Sequence, residues 1–139
     1  MWHFMHTTRK ERVKQTTDLF TLYNSKDMLT ARSQAWYSLD RFNKLSAPVR
    51  FSAIWSAFDE TEGKLKSETF HAIQQVGSFW FQLLTLHRRG LLDRKLTKEL
   101  FGYQYFYWKI HFSRMVADTE RLDQDRPEVI EPFRASELD

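Results

Sequence analysis

The sequence predicts an all-α fold, an antiparallel helical bundle of four to five main helices in one domain. Three observations carry this. Glycine and proline are scarce, at four and three of 139 residues, and the Asn-Gly and Asp-Gly pairs that favour tight hairpins are absent. Apolar residues recur at spacings of three, four and seven, which mark one face of a helix. Aromatics form 16% of the chain, with twelve Phe, five Trp and five Tyr, and each large ring can bury about 150–250 Å². A domain of this size removes roughly two-thirds of its unfolded surface from water, so such a core needs no metal or disulfide to hold it.

The elements follow in order. A first helix is expected from Thr7-Thr8 to about Tyr23, with Val13, Phe20 and Tyr23 on one side. Arg9, Lys10, Arg12 and Lys14 solvate its start, although positive charge there opposes the helix dipole. Ser25 is a good N-cap and Asp27 suits the first turn of a second helix. That helix carries Met28, Leu29, Ala35, Trp36, Leu39 and Phe42 as its apolar face. Pro48 suits the first turn of a third, with Val49, Phe51, Ile54, Trp55 and Phe58. Residues 59–63 read as a polar kink, a loop, or an exposed stretch of a longer helix. The next helix runs from about Ser67 to Arg89, and Gly90 is its left-handed C-cap. Asp93 caps a short helix to about Phe101, which Gly102 breaks or bends. Tyr103 to Asp123 form the last long helix. Pro132 keeps residues 124–139 from forming a long helix, while Phe133 and Leu138 can staple this acidic tail to the body. Residues 1–8 read as a flexible start.

Composition narrows the functions. With no cysteine in the chain, a disulfide framework, a thiolate zinc site and a cysteine nucleophile are excluded. The longest nearly apolar run, Phe79 to Leu86, is far short of the about 20 residues that span a bilayer. The start lacks the features of a signal peptide. A cytoplasmic location is expected, at the inner face of the membrane if the N-terminus touches lipid.

The net charge of +3 is unevenly spread. Residues 1–58 hold nine Lys/Arg against four Asp/Glu, and residues 116–139 hold three against eight. A basic front and an acidic tail fit either self-complementary packing or a nucleic-acid or membrane face. The candidate basic surface is Arg9, Lys10, Arg12, Lys14, Arg32 and Arg50.

No catalytic motif is found. The glycines stand alone, which excludes phosphate-cradling loops. There is no His-Glu-x-x-His and no Gly-x-Ser-x-Gly elbow, and the Arg-spacer-His signature of compact helical ribonucleases is missing. His3 and His6 share a spacing at the terminus; His87 and His111 read as satisfied structural groups. Asp59, Glu60 and Glu62 read as a solvated surface, since paired acids do proton chemistry only in contrasting buried environments. No catalytic or metal-binding residue and no cofactor is assigned.

The strongest positive signal is the block Tyr103, Tyr105, Phe106, Tyr107 and Trp108, with Lys109, His111 and Arg114 behind it. Adjacent residues on a helix point around its circumference, so five aromatics in this block cannot all enter one core. The outward ones suggest a partner. The candidate interaction surface is Tyr103, Tyr105, Trp108 and Lys109.

The segments Phe70-His71-Ala72-Ile73-Gln74-Gln75-Val76-Gly77-Ser78-Phe79-Trp80, Leu86-His87-Arg88-Arg89-Gly90-Leu91-Leu92-Asp93, Leu100-Phe101-Gly102-Tyr103 and Tyr107-Trp108 resemble an uncharacterised family of bacterial and phage helical proteins, a domain-of-unknown-function family. The resemblance implies a long helix, a Gly-apolar-apolar-Asp turn, a Phe-Gly helix and a Tyr-Trp helix. It implies no activity and no catalytic residue. Many of that family's members carry a membrane helix before the domain, and the short aromatic and basic start of this chain departs from that.

The leading expectation is thus a non-enzymatic module that binds another protein or itself, with a homodimer as one form. Nucleic-acid binding through the basic half comes second, and membrane contact through the N-terminus third.

Overall fold

A computed structural model of the chain describes residues 8–50, 63–124, 128–134 and 138. Among these the fold is all-α, with four helices and no strand: α1 (Arg9–Tyr23), α2 (Lys26–Asn43), α3 (Gly63–Arg88) and α4 (Arg94–Arg121), followed by a single 3-10 turn, Glu131–Phe133.

The ends of the helices follow local chemistry. Thr8 Oγ1 accepts from the Glu11 amide at 3.1 Å, and Ser25 Oγ from the Met28 amide at 3.3 Å. Asp93 Oδ1 accepts from the Leu96 amide at 2.8 Å. Each satisfies an orphan donor of its first turn. Gly90 sits at φ 72°. Its amide bonds His87 O at 3.1 Å, and the Leu91 amide reaches back to Leu86 O at 3.0 Å. This pair of bonds is a Schellman cap, whose left-handed residue favours glycine.

Two boundaries differ from expectation. α3 starts at Gly63 rather than near Ser67. Arg94–Phe101 and Tyr103–Asp123 are one continuous helix rather than two. A mid-helix glycine costs about 1 kcal/mol relative to alanine, and here Phe101 and Tyr105, both fully buried on either side of Gly102, hold the helix straight through. For the predicted third helix, residues 45–50 are not helical, and Phe51, Ile54, Trp55 and Phe58 lie outside the described residues.

The core is mainly aromatic. Tyr23 of α1 lies 5.0 Å from Phe79, 5.6 Å from Trp80 and 5.9 Å from Phe101, ring centre to ring centre. Trp80 in turn lies 5.9 Å from Phe101 and 5.7 Å from Tyr105. Edge-on and tilted pairs of this kind contribute about 0.5–1.5 kcal/mol each beyond simple burial. Ala31, Ala35, Leu39 and Phe42 of α2 and Ile73, Val76 and Leu83 of α3 belong to the same core, where these two helices pack together. Leu29 and Trp36, read from spacing as part of that face, are exposed instead and border a groove toward α4.

The chain after α4 returns to the body. Phe133 stacks on Phe112 at 4.2 Å with ring planes 10° apart, and Tyr105 OH donates to Pro132 O at 2.7 Å. Val129, Ile130, Phe133 and Leu138 are all buried. Gly77 makes this possible. A Cβ there would overlap the Val129 side chain and lie 2.5 Å from its carbonyl oxygen.

Candidate functional site

The block Tyr103–Trp108 divides by helical phase. Tyr105 is 0% exposed and Trp108 2%, while Tyr103 is 78%, Phe106 53% and Ile110 53% exposed. Tyr105 and Trp108 are therefore core residues, a correction to the predicted interaction surface. The inward side of α4 runs through Phe101, Tyr105, Trp108, Phe112 and Met115, at spacings of three and four. Tyr103, Phe106 and Ile110 lie on the opposite side, with Tyr107 at its edge. Lys109 is half-buried, its Nζ 5.9 Å from the Tyr105 ring centre. An amphipathic helix normally presents polar residues to solvent. For two turns α4 presents large apolar ones, and Leu29, Trp36 and Tyr37 of α2 are exposed too.

Between the two helices runs a groove of about 420 Å³, walled by Leu29, Arg32 and Trp36 on α2 and by Tyr103, Gln104 and Tyr107 on α4. A polar chain underlies it. Trp108 Nε1 donates to Tyr23 OH at 2.8 Å, and Tyr23 OH donates to Gln104 Oε1 at 2.8 Å. Burial raises the Tyr23 phenol above its usual pKa, opposed by the Trp108 hydrogen bond and the Arg32 charge. Burial also raises Tyr107, with nearby Tyr103 adding to it. His111 Nδ1 lies 2.9 Å from Tyr107 O, and its ring packs 4.3 Å from the Tyr107 ring.

The predicted basic surface is not one surface. Arg32 stacks 3.9 Å over the Tyr23 ring and donates to Tyr23 O at 3.0 Å, capping the C-terminus of α1. Lys14 pairs with Asp18 at 2.9 Å. Arg50 lies beyond α2, next to Val49, whose amide donates to Asp118 Oδ2 at 3.1 Å. Arg9 and Arg12 instead border a concavity at the other end of α4, with Arg94 and Lys95. Lys10 is exposed nearby in sequence. Arg114, read as part of an aromatic and basic motif, has a structural role. Its guanidinium donates to the carbonyls of Asn43, Leu45 and Ala47 and lies 3.5 Å from Asp118. It thus closes the open carbonyls at the end of α2.

Among the described residues no group of three or more His, Asp or Glu converges as a metal site, and no helix is long and apolar enough to cross a membrane. His3, His6, Asp59, Glu60 and Glu62 fall outside the described residues, as do residues 1–7 of the N-terminal lipid contact. No protein-family model matches the chain, and no match was found among curated proteins or solved structures.

Proposed function

We propose that this protein is a non-enzymatic interaction module that pairs with a second copy of itself through the outward face of α4. The observation that carries this reading is the exposed stripe Tyr103, Phe106 and Ile110 at the middle of a 28-residue helix. In a two-fold contact, residue i of one copy meets residue j of the other, and j meets i. An antiparallel crossing centred between Phe106 and Tyr107 sets Tyr103 opposite the partner's Ile110 and Phe106 opposite the partner's Tyr107. Both pairings are apolar or aromatic. From Leu100 to Ile110 the only charged side chain is Lys109, so the axis brings no cluster of like charges together. Trp36 of α2, which lines the groove beside Tyr103 and Tyr107, widens the face, and aromatic residues of this kind concentrate binding energy. The resemblance to the uncharacterised helical family belongs to this proposal only as a fold; it brings no activity.

The test is mass in solution by size exclusion with light scattering, at low and high salt. A dimer at both salts is expected, because apolar contacts are little screened. Phe106→Asp places two carboxylates about the axis and should yield monomers with an unchanged helical spectrum. Because the two-fold axis loses this anchor twice, at about 2 kcal/mol or more per copy, the pairing weakens roughly 1000-fold. A wild-type monomer at every concentration, or a dimer indifferent to Phe106→Asp, overturns the proposal.

A further inference from the structure

A second surface lies at the other end of the molecule's chemistry, where α1 meets the turn between α3 and α4. Thr16 fixes this meeting. Its buried hydroxyl donates to Arg12 O at 2.7 Å and accepts from the Asp93 amide at 3.0 Å. The start of α1 is thereby pinned beside the start of α4, although the two are far apart in sequence. Arg9 and Arg12 from α1 and Arg94 and Lys95 from α4 then border one concavity of about 520 Å³.

One carboxylate, Asp93, sits among these four cations. It is already engaged, since it caps α4 through the Leu96 amide and lies 3.7 Å from Arg9. The Arg9 side chain remains 80% exposed. Charge continues outside the concavity. Arg89 follows the end of α3 just before Gly90, and Lys10, Arg89 and Lys98 are exposed. Glu11 and Glu99 are the exposed acids on the same turns of α1 and α4, so a positive excess remains.

We propose that this end of the bundle binds the phosphate backbone of nucleic acid. Guanidinium groups recognise phosphate in a two-pronged geometry, and arginine is the residue suited to it. Three of the four cations at the concavity are arginines. The concavity fits a phosphate, and the flanking Lys10, Arg89 and Lys98 extend the positive track to neighbouring phosphates. A lipid surface is disfavoured because membrane-surface helices pair basic residues with apolar ones that enter the bilayer. None of the large exposed apolar residues among the described ones, such as Phe81, Tyr103 or Phe106, lines this concavity.

The test is fluorescence anisotropy of the full chain with a short fluorescein-labelled DNA duplex, and with the same sequence single-stranded, across a salt series. Neutralising about four phosphates predicts affinity for the duplex falling about a hundredfold between roughly 50 and 200 mM salt. Arg9→Glu with Arg94→Glu should weaken binding at least about tenfold and lower the salt slope by about two. Arg50→Glu should change neither. Arg50 sits near Asp118, which is roughly 35 Å from Arg94 along α4 at 1.5 Å per residue. Thermal melts of each variant by circular dichroism separate a lost contact from a lost fold. No binding to either DNA at about 50 mM salt overturns the proposal, and so does binding that Arg50→Glu weakens as much as the double reversal. Binding to phosphatidylserine vesicles without binding to DNA overturns it in favour of a lipid surface.

Discussion

Trp108 and Phe106 are two positions apart on α4, and replacing each with alanine gives opposite expected outcomes. Trp108 is 2% exposed, packs 6.2 Å from Phe112 and donates its indole N–H to Tyr23. Truncating a buried Phe or Trp to alanine costs about 3–5 kcal/mol, the lost transfer energy plus the cavity left behind. The Tyr23 hydroxyl keeps its bond to Gln104 but loses the Trp108 donor, so the cost lies toward the upper part of that range. Against a total stability of about 5–15 kcal/mol, this is a large fraction. At roughly 2–8 °C per kcal/mol, Trp108→Ala should lower the melting temperature by on the order of 10–20 °C. Phe106 is 53% exposed, and substitutions at such sites usually stay within about 0.5 kcal/mol. Both variants are melted by circular dichroism at a concentration that keeps the chain monomeric, and guanidinium midpoints are compared at equal slope. Equal losses, or a larger loss for Phe106→Ala, would refute the assignment of these two residues to core and surface.

Gly77→Ala should destabilise the fold by about 1–3 kcal/mol, as overpacking does, although alanine alone would favour the helix by about 1 kcal/mol. The clash with Val129 decides the sign, and faster proteolysis of residues beyond 124 should accompany the loss; a higher melting temperature would contradict the docked C-terminal segment. Alkaline pH should weaken the fold through Tyr23. Its pKa is raised in the folded state above the ordinary 10.0, so the protonated form is favoured by folding. That stabilisation is complete below about pH 10 and is lost as pH rises through the folded value. Tyr107 acts in the same direction. Denaturant midpoints from pH 9 to 11 should fall more steeply for wild type than for Tyr23→Phe, and parallel curves would dismiss the linkage.

The parts of this fold legible in the sequence are those set by chemistry within a few residues. Ser25, Asp93 and Gly90 each act as caps because a side-chain oxygen or a positive φ is needed at that spot. The helical periods of α2 and α3 likewise follow from a single apolar stripe. Where a helix is aromatic on most sides, the period loses its phase. Tyr105 and Trp108 read as surface for that reason, although the spacing Phe101, Tyr105, Trp108, Phe112 holds the answer once the helix is known to run unbroken through Gly102. In the sequence Gly77 stands only as one residue of the Phe70–Trp80 segment of the predicted fourth helix. Its meaning depends on Val129, which approaches from beyond α4.

Charge was legible as a total and illegible as a surface. Arg9 and Arg12 meet Arg94 and Lys95 because α1 packs along α4, with Thr16 tied to the Asp93 amide, a contact between residues 77 apart in the chain. The same folding step draws Arg32 and Arg114 inward as caps for helix ends, where their charge serves the backbone carbonyls of Tyr23, Asn43, Leu45 and Ala47. A count of basic residues weights all of these alike. The fold sets cations that close helix ends apart from those that border one concavity, and the phosphate proposal concerns the second group. The two proposed surfaces are separate for a related reason. The stripe for self-association lies at the middle of α4, where charge is nearly absent, and the basic concavity lies at its N-terminal end. Phe106→Asp should therefore leave the binding of one chain to a short duplex intact, while Arg9→Glu with Arg94→Glu leaves the dimer intact. Loss of both activities in either variant would mean that the two surfaces are one.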